Sequence, residues 1–399
     1  MKGKAIIICF IWPLICGCLN IQLLTAAFIS IALSQFIAYI NLVLILIGVF
    51  VVLKGSNGEL SKTASLWFIF YALYYSFGLL ASGITGFEDP GYSTIATIVP
   101  VIYFIGFYYF LRQEEYTKLF FKVITVCYMI SAILTIFFFK INYSFDDLAI
   151  RPYPLDRAGG VYADANNAAM VNILAYILFQ KFYIAKTKLQ KAFKIFLTLV
   201  IVYSILLTLS TTGLFIFVIV SVITNYKFFR GFKVLLLGVL LVLFYAALFV
   251  REQFYSHLNL SVRQISKIDN IYNVLTFNTE KIDSSGRSEL LQLLLEYVYK
   301  KPIMGNGVGF STFIRGHNTY IGVWADAGII TFLFFLFLLV IYLVKSLKLN
   351  LTLMIFCLSM LVTMYIFMLT LQTVINQTHI IVLFVFIGYV IDRKRLIQY

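Results

Sequence analysis

The sequence predicts an all-α polytopic membrane protein of about twelve transmembrane helices, with a large outer loop that contains a short amphipathic helix. Three observations predict it. Of the 399 residues, 62% are hydrophobic and only 12% charged, and the mean hydropathy is +0.95. A water-facing exterior cannot be built from so few polar residues, so lipid is the solvent for most of the chain. The apolar runs are continuous and do not alternate with a period of two, and in lipid the backbone must satisfy its own polar groups, which selects helices. The basic residues, finally, cluster in every second loop.

Taken in order, the stretch from Ala5 to Leu53 is too long for one span of ~20 residues and fits two. Lys2 and Lys4 before it imitate a signal peptide, but the run continues without a small-residue cleavage site and reads as a first span. Further spans fall at 64–81, 93–111, 118–139, 166–184, 195–209, 213–225, 233–250, 318–344, 349–369 and 378–391. The positive-inside rule assigns to the cytoplasm Lys54 and Lys62, Arg112, Lys118 and Lys122, and the lysines from Lys181 to Lys194. Lys227, Arg230 and Lys233 join them, then Lys345 and Lys348, then Arg393, Lys394 and Arg395, so both termini are cytoplasmic. Residues 1–250 thus carry nine spans with an outer loop at 140–165. Residues 251–317 form the large periplasmic loop, and 318–399 carry the last three spans and a basic tail.

Within the large loop, Asp283, Ser284 and Ser285 offer N-cap side chains. Leu290, Leu291, Leu294, Leu295 and Val298 follow at helical spacing, and Lys300, Lys301 and Pro302 end the helix. The net charge of +14 sits in loops between spans, which argues for membrane topology and against nucleic acid as a partner. Cys9, Cys16, Cys18, Cys127 and Cys357 all lie in apolar runs and read as packing residues.

Four features carry candidate chemistry. Gly305-Asn306-Gly307-Val308-Gly309 has the glycine density of a phosphate cradle, but the dinucleotide fingerprint fails at Phe310, and a flexible turn after the amphipathic helix accounts for these residues better. His317, with Arg315 before it and Asn318 after it, stands where the chain re-enters the membrane. His257 and His379 lack such company and read as structural. Arg157 opens a run that ends at Asn166, and Arg287 begins the loop helix. Each arginine alone reads as a solvated side chain at lipid headgroups. Together Arg157, Arg287 and Arg315 describe a site for a multiply charged anion, gripped through forked hydrogen bonds.

His317-Asn318, nine residues, Gly328, two residues and Thr331 is similar to the signature of the O-antigen ligase and polymerase superfamily. The run Gly286-Arg287-Ser288-Glu289, leading through Lys301-Pro302 to the glycines, resembles that family's outer loop. Arg157-x-x-Gly160-x-Tyr162-x-Asp164-x-Asn166 resembles its earlier loop motif. One position departs: relatives carry a Ser-Arg pair where this chain has Ser210-Thr211-Thr212-Gly213.

The resemblance implies a membrane-embedded glycosyltransferase of the GT-C type in the bacterial inner membrane, with its active site facing the periplasm. It implies an O-antigen polymerase that moves a glycan from undecaprenyl pyrophosphate to a sugar hydroxyl of another lipid-linked repeat unit, in lipopolysaccharide and polysaccharide biosynthesis. His317 and Arg287 would be catalytic, with Arg157, Arg315, Asn318 and Asn166 binding pyrophosphate and glycan, and with neither cofactor nor metal. The partners implied are the lipid-linked donor and acceptor, membrane lipids, a chain-length regulator and a flippase. O-antigen ligase, transferring to lipid A core, and protein O-oligosaccharyltransferase share the motifs and compete. A flippase or transporter competes from another class, but transporters favour internal repeats and ionisable groups at the midplane, and these spans carry few such groups.

Overall fold

The computed structural model describes residues 2–395 apart from 55–57, 88–93, 229–230, 232, 259, 282–285 and 373. Each apolar run marked in the sequence is a helix. α1 (Lys2–Cys18) and α2 (Ile21–Phe28) meet at a bend of 65°. α3 (Ile31–Leu53), α4 (Leu66–Thr85), α5 (Thr94–Phe110) and α6 (Glu114–Lys140) follow. The 140–165 segment then opens with a small antiparallel hairpin of β1 (Tyr143–Ser144) and β2 (Ala149–Ile150). After it come α7 (Ala165–Phe182), α8 (Lys188–Leu207), α9 (Thr211–Thr224) and α10 (Lys233–Phe249). The large loop holds α11 (Arg251–Leu258), α12 (Val262–Leu275), α13 (Arg287–Lys300) and the short α14 (Phe310–Ile314). α15 (Thr319–Leu347), α16 (Leu351–Phe367) and α17 (Thr378–Arg393) complete the chain.

Local chemistry sets many of these starts. Ser30 Oγ accepts from Leu33 N at 3.1 Å to begin α3. Thr187 with Gln190, and Ser261 with Gln264, form capping boxes at α8 and α12, satisfying N–H groups that a helix cannot satisfy itself. α13 starts and ends where the leucine spacing places it, but its N-cap is Gly286, left-handed at φ 78° and without a side-chain cap. The candidates Asp283, Ser284 and Ser285 lie outside the described residues, as does Arg230.

Two compact units divide the chain, one of Met1–Ser131 with Gly286–Tyr399 and one of Ala132–Ser285. In the first, α17 is the central helix. Every residue from His379 to Ile391 is buried, as expected for a helix that is apolar all round. α4 packs on α15, and α5 packs on both α3 and α17. Trp67 of α4 fixes the centre with its ring 5.0 Å from Phe384 and 6.3 Å from Phe335. In the second unit α7 takes the central place, buried from Ala168 to Phe179 and flanked by α8 and α9.

Among the described residues, α3, α4, α6, α8 and α15 are long and apolar enough to cross a membrane, and the bent pair of α1 and α2 makes up to six. The chain is therefore a predominantly helical polytopic protein. α5, α9 and α16 contain shorter apolar stretches. The five cysteines are free and buried.

Candidate functional site

The His317 motif is built around a break in α15. Gly328 has φ 77° and ψ 177°, a region open essentially to glycine alone. A helix broken there frees the carbonyls of Ala325 and Asp326, and buried carbonyls need donors. The glycine loop provides them. Asn306 N donates to Ala325 O at 2.8 Å, Asn306 Nδ2 to the same oxygen at 3.1 Å, and Gly307 N to Asp326 O at 3.0 Å. On the far side of the break, Ile329 N donates to Pro302 O at 2.9 Å. A Cβ on Gly328 would stand 1.9 Å from Ile303 O. The residues 305–309 are thus neither an anion cradle nor a loose turn. Amide groups at the heart of the loop serve the interior of the protein.

A buried acid locks the same junction. Asp326, 4% exposed, accepts from Tyr74 Oη at 2.6 Å, Ser311 N at 2.6 Å and Ser311 Oγ at 3.1 Å. These bonds tie α4 and α14 to α15. The sequence does signal this residue, a lone carboxylate inside an apolar run, but no neighbouring motif singles it out.

From α14 the chain turns sharply into α15. Arg315 (φ 59°) and His317 (φ 47°) are both left-handed, uncommon for residues with a Cβ. Between them Gly316 lies so close to α13 that a Cβ would meet Leu294 Cδ2 at 2.3 Å. Asn318 caps α15, its side chain accepting from Ile321 N at 3.1 Å. Leu294 and Val298 of α13 pack with Phe310 and Ala325, so the amphipathic helix is fixed beneath the His317 turn. Arg287 begins that helix seven residues before Leu294, about 10 Å along its axis. Arg315 is exposed and His317 half-buried. Among the described residues, neither Arg287 nor Arg315 has a hydrogen-bond or ion-pair partner for its guanidinium. Beside Lys301 an apolar cavity of about 260 Å³ opens between Ala81, Ile84, Ile303 and Met304.

Arg157 and Asn166 belong to the second unit and touch each other. Arg157 Nη2 donates to Asn166 Oδ1 at 3.2 Å and Nε to Thr208 O at 2.9 Å. Asn166, 4% exposed, also accepts from Ser210 Oγ at 2.8 Å. The turn at Ser210 is therefore tied through Asn166 to Arg157, from the 140–165 segment. Asp164 caps α7, accepting from Asn166 N at 3.0 Å and Asn167 N at 2.8 Å. Arg157 faces a cavity of about 180 Å³ that Tyr143, Asp146, Arg151, Asp156 and Arg263 also line. Arg151 pairs with Asp147, whose carboxyl that hydrogen bond holds below its ordinary range. Gln264 Nε2 donates to Asp156 O at 3.1 Å and so fixes the start of α12 on this wall. The composition of the cavity was not legible in the sequence, because α12 comes from the large loop and the hairpin from the earlier one.

His379 is buried edge-on to Tyr128, with ring centroids 6.1 Å apart, and the His257 side chain lies outside the described residues. Among the described residues no three His, Cys, Asp or Glu side chains come together as a metal site. Compared with protein-family models and with curated proteins, the chain matches none.

Proposed function

We propose that this chain is a membrane-embedded glycosyltransferase, a polymerase that extends lipid-linked glycan repeats on the outer face of the bacterial inner membrane. Twelve spans with cytoplasmic termini bring segments 140–165 and 251–317 to that face. The observation that carries the reading is the His317 turn. Two left-handed residues flank a glycine seated on α13, and the imidazole is held at the mouth of a membrane-length helix. Backbone outliers of this kind concentrate at functional sites. The same construction fixes α13, whose first residue is Arg287, and leaves the Arg287 and Arg315 guanidinia unengaged for an anion.

In this reading His317 accepts the proton of the attacking sugar hydroxyl as its oxygen bonds to the anomeric carbon of the donor. The bond from that carbon to pyrophosphate breaks, and Arg287 and Arg315 stabilise the charge gathering on the departing phosphate. Asn318 orients the turn by capping α15. The apolar cavity beside Lys301 suits an isoprenoid chain with its phosphate near the lysine.

The test is His317→Ala in cells. A lost general base costs ~10²–10⁴-fold in rate, so lipid-linked repeats should accumulate on the outer face, unjoined, with the protein inserted at normal levels. Accumulation on the inner face would replace the enzyme with a flippase, and undiminished long-chain product would remove His317 from the chemistry. His317→Gln keeps a hydrogen bond without titration, so residual activity there measures how much of the role is orientation.

A further inference from the structure

The cavity beside Arg157 has a composition that the multiply-charged-anion reading does not explain. Its lining includes three arginines, Arg151, Arg157 and Arg263, and three aspartates, Asp146, Asp156 and Asp164, so the formal charges balance. Several of the six are already engaged. Arg157 donates to Thr208 O and Asn166, Arg151 is paired with Asp147, and Asp164 caps α7. Among the described residues the carboxylates of Asp146 and Asp156 and the guanidinium of Arg263 make no bond within the chain. The groups left to meet a ligand are therefore two acceptors and one donor. A pyrophosphate offers acceptors only and carries about two negative charges, so two facing carboxylates repel it.

We propose instead that this cavity is a glycan subsite that holds one sugar ring by its hydroxyls. A hydroxyl is both donor and acceptor, so neighbouring hydroxyls can donate to Asp146 and Asp156 and accept from Arg263. Such charge-assisted bonds are the strong kind. The lining is mostly polar, as a sugar ring held by its hydroxyls requires, and Tyr143 and Phe145 back it from the core, packed on Phe138. The cavity, of about 180 Å³, is large enough for several waters, which one pyranose can displace. Arg157 becomes the residue that fixes the wall to the α8–α9 turn. The pyrophosphate is left to Arg287 and Arg315. That the sugar belongs to a lipid-linked repeat rests on the transferase reading; that the cavity takes a neutral sugar does not.

The experiment is saturation-transfer NMR on the full-length protein in detergent. The probes are methyl glucoside, galactoside and mannoside, with inorganic pyrophosphate as competitor. At least one hexoside should receive saturation from the wild type, and excess pyrophosphate should leave that signal intact. Asp156→Asn and Arg263→Gln should each weaken the sugar about tenfold, the loss of one charge-assisted bond. Arg263 and Asp146 are exposed, so Arg263→Gln and Asp146→Asn test the cavity without disturbing the core. Displacement by pyrophosphate, unchanged signals in all three variants, or no transfer to any hexoside would overturn the subsite. The two readings fail separately. Elongation of chains by a wild type that takes up no hexoside would sink the subsite alone, and hexoside binding without elongation would sink the transferase alone.

Discussion

Arg157 and Arg287 look alike in the sequence and differ in the structure. Arg287 has no partner among the described residues, whereas Arg157 bonds Thr208 O and Asn166 Oδ1. Arg287→Ala should therefore abolish long-chain product without moving the thermal unfolding midpoint in detergent, and Arg287→Lys should rescue poorly, since it offers a point charge in place of a fork. Arg157→Ala leaves the buried Asn166 with one donor fewer. It should lower the midpoint as well, in line with a loss of ~1–3 kcal/mol for a disrupted buried hydrogen bond. Equal midpoints for the two variants would contradict this division of labour. The sequence indicated that both arginines matter, because their motifs are local. It was silent on the division, because Thr208 lies 51 residues from Arg157.

At the scale of elements, α15 and the loop that docks into it form one construction. Gly328→Ala adds a Cβ 1.9 Å from Ile303 O at a residue with φ 77°. Such a change costs at least ~1–3 kcal/mol in backbone strain alone. Its expected result is a destabilised protein with increased proteolysis between α13 and α15, and a variant as resistant as the wild type would refute the docking account. Asp326→Asn is milder. Its remaining oxygen can still accept from Ser311 N, but its amide cannot accept from Tyr74 Oη, so part of the stability and activity should survive. The apolar helices are legible in the sequence, since an apolar run in lipid has few alternatives. α12 was not anticipated. Its start is marked by the Ser261 and Gln264 box, but its apolar face is short and sits in a segment of low hydropathy. The role of the glycines escaped for another reason: their partner, the broken turn of α15, lies some twenty residues away, and nothing in the loop itself names it.

For the whole molecule, the orientation proposed from the basic loops can be tested with single cysteines, because the native ones are buried. Ser288 and Val262 are exposed in segments assigned to the outside, and Leu189 and Lys348 in segments assigned to the inside. An impermeant thiol reagent on intact spheroplasts should label cysteines at the first two and spare the others; the reverse pattern would invert the protein and remove its site from the periplasm. The central claim is that this one chain joins lipid-linked repeats. Purified protein in liposomes, given only synthetic undecaprenyl-pyrophosphate repeats, tests it most directly. The account predicts a ladder of longer lipid-linked glycans that forms without lipid A core and disappears with His317→Ala. Product only on adding lipid A core would make the protein a ligase, and a ladder that His317→Ala builds as fast as the wild type would contradict the catalytic assignment.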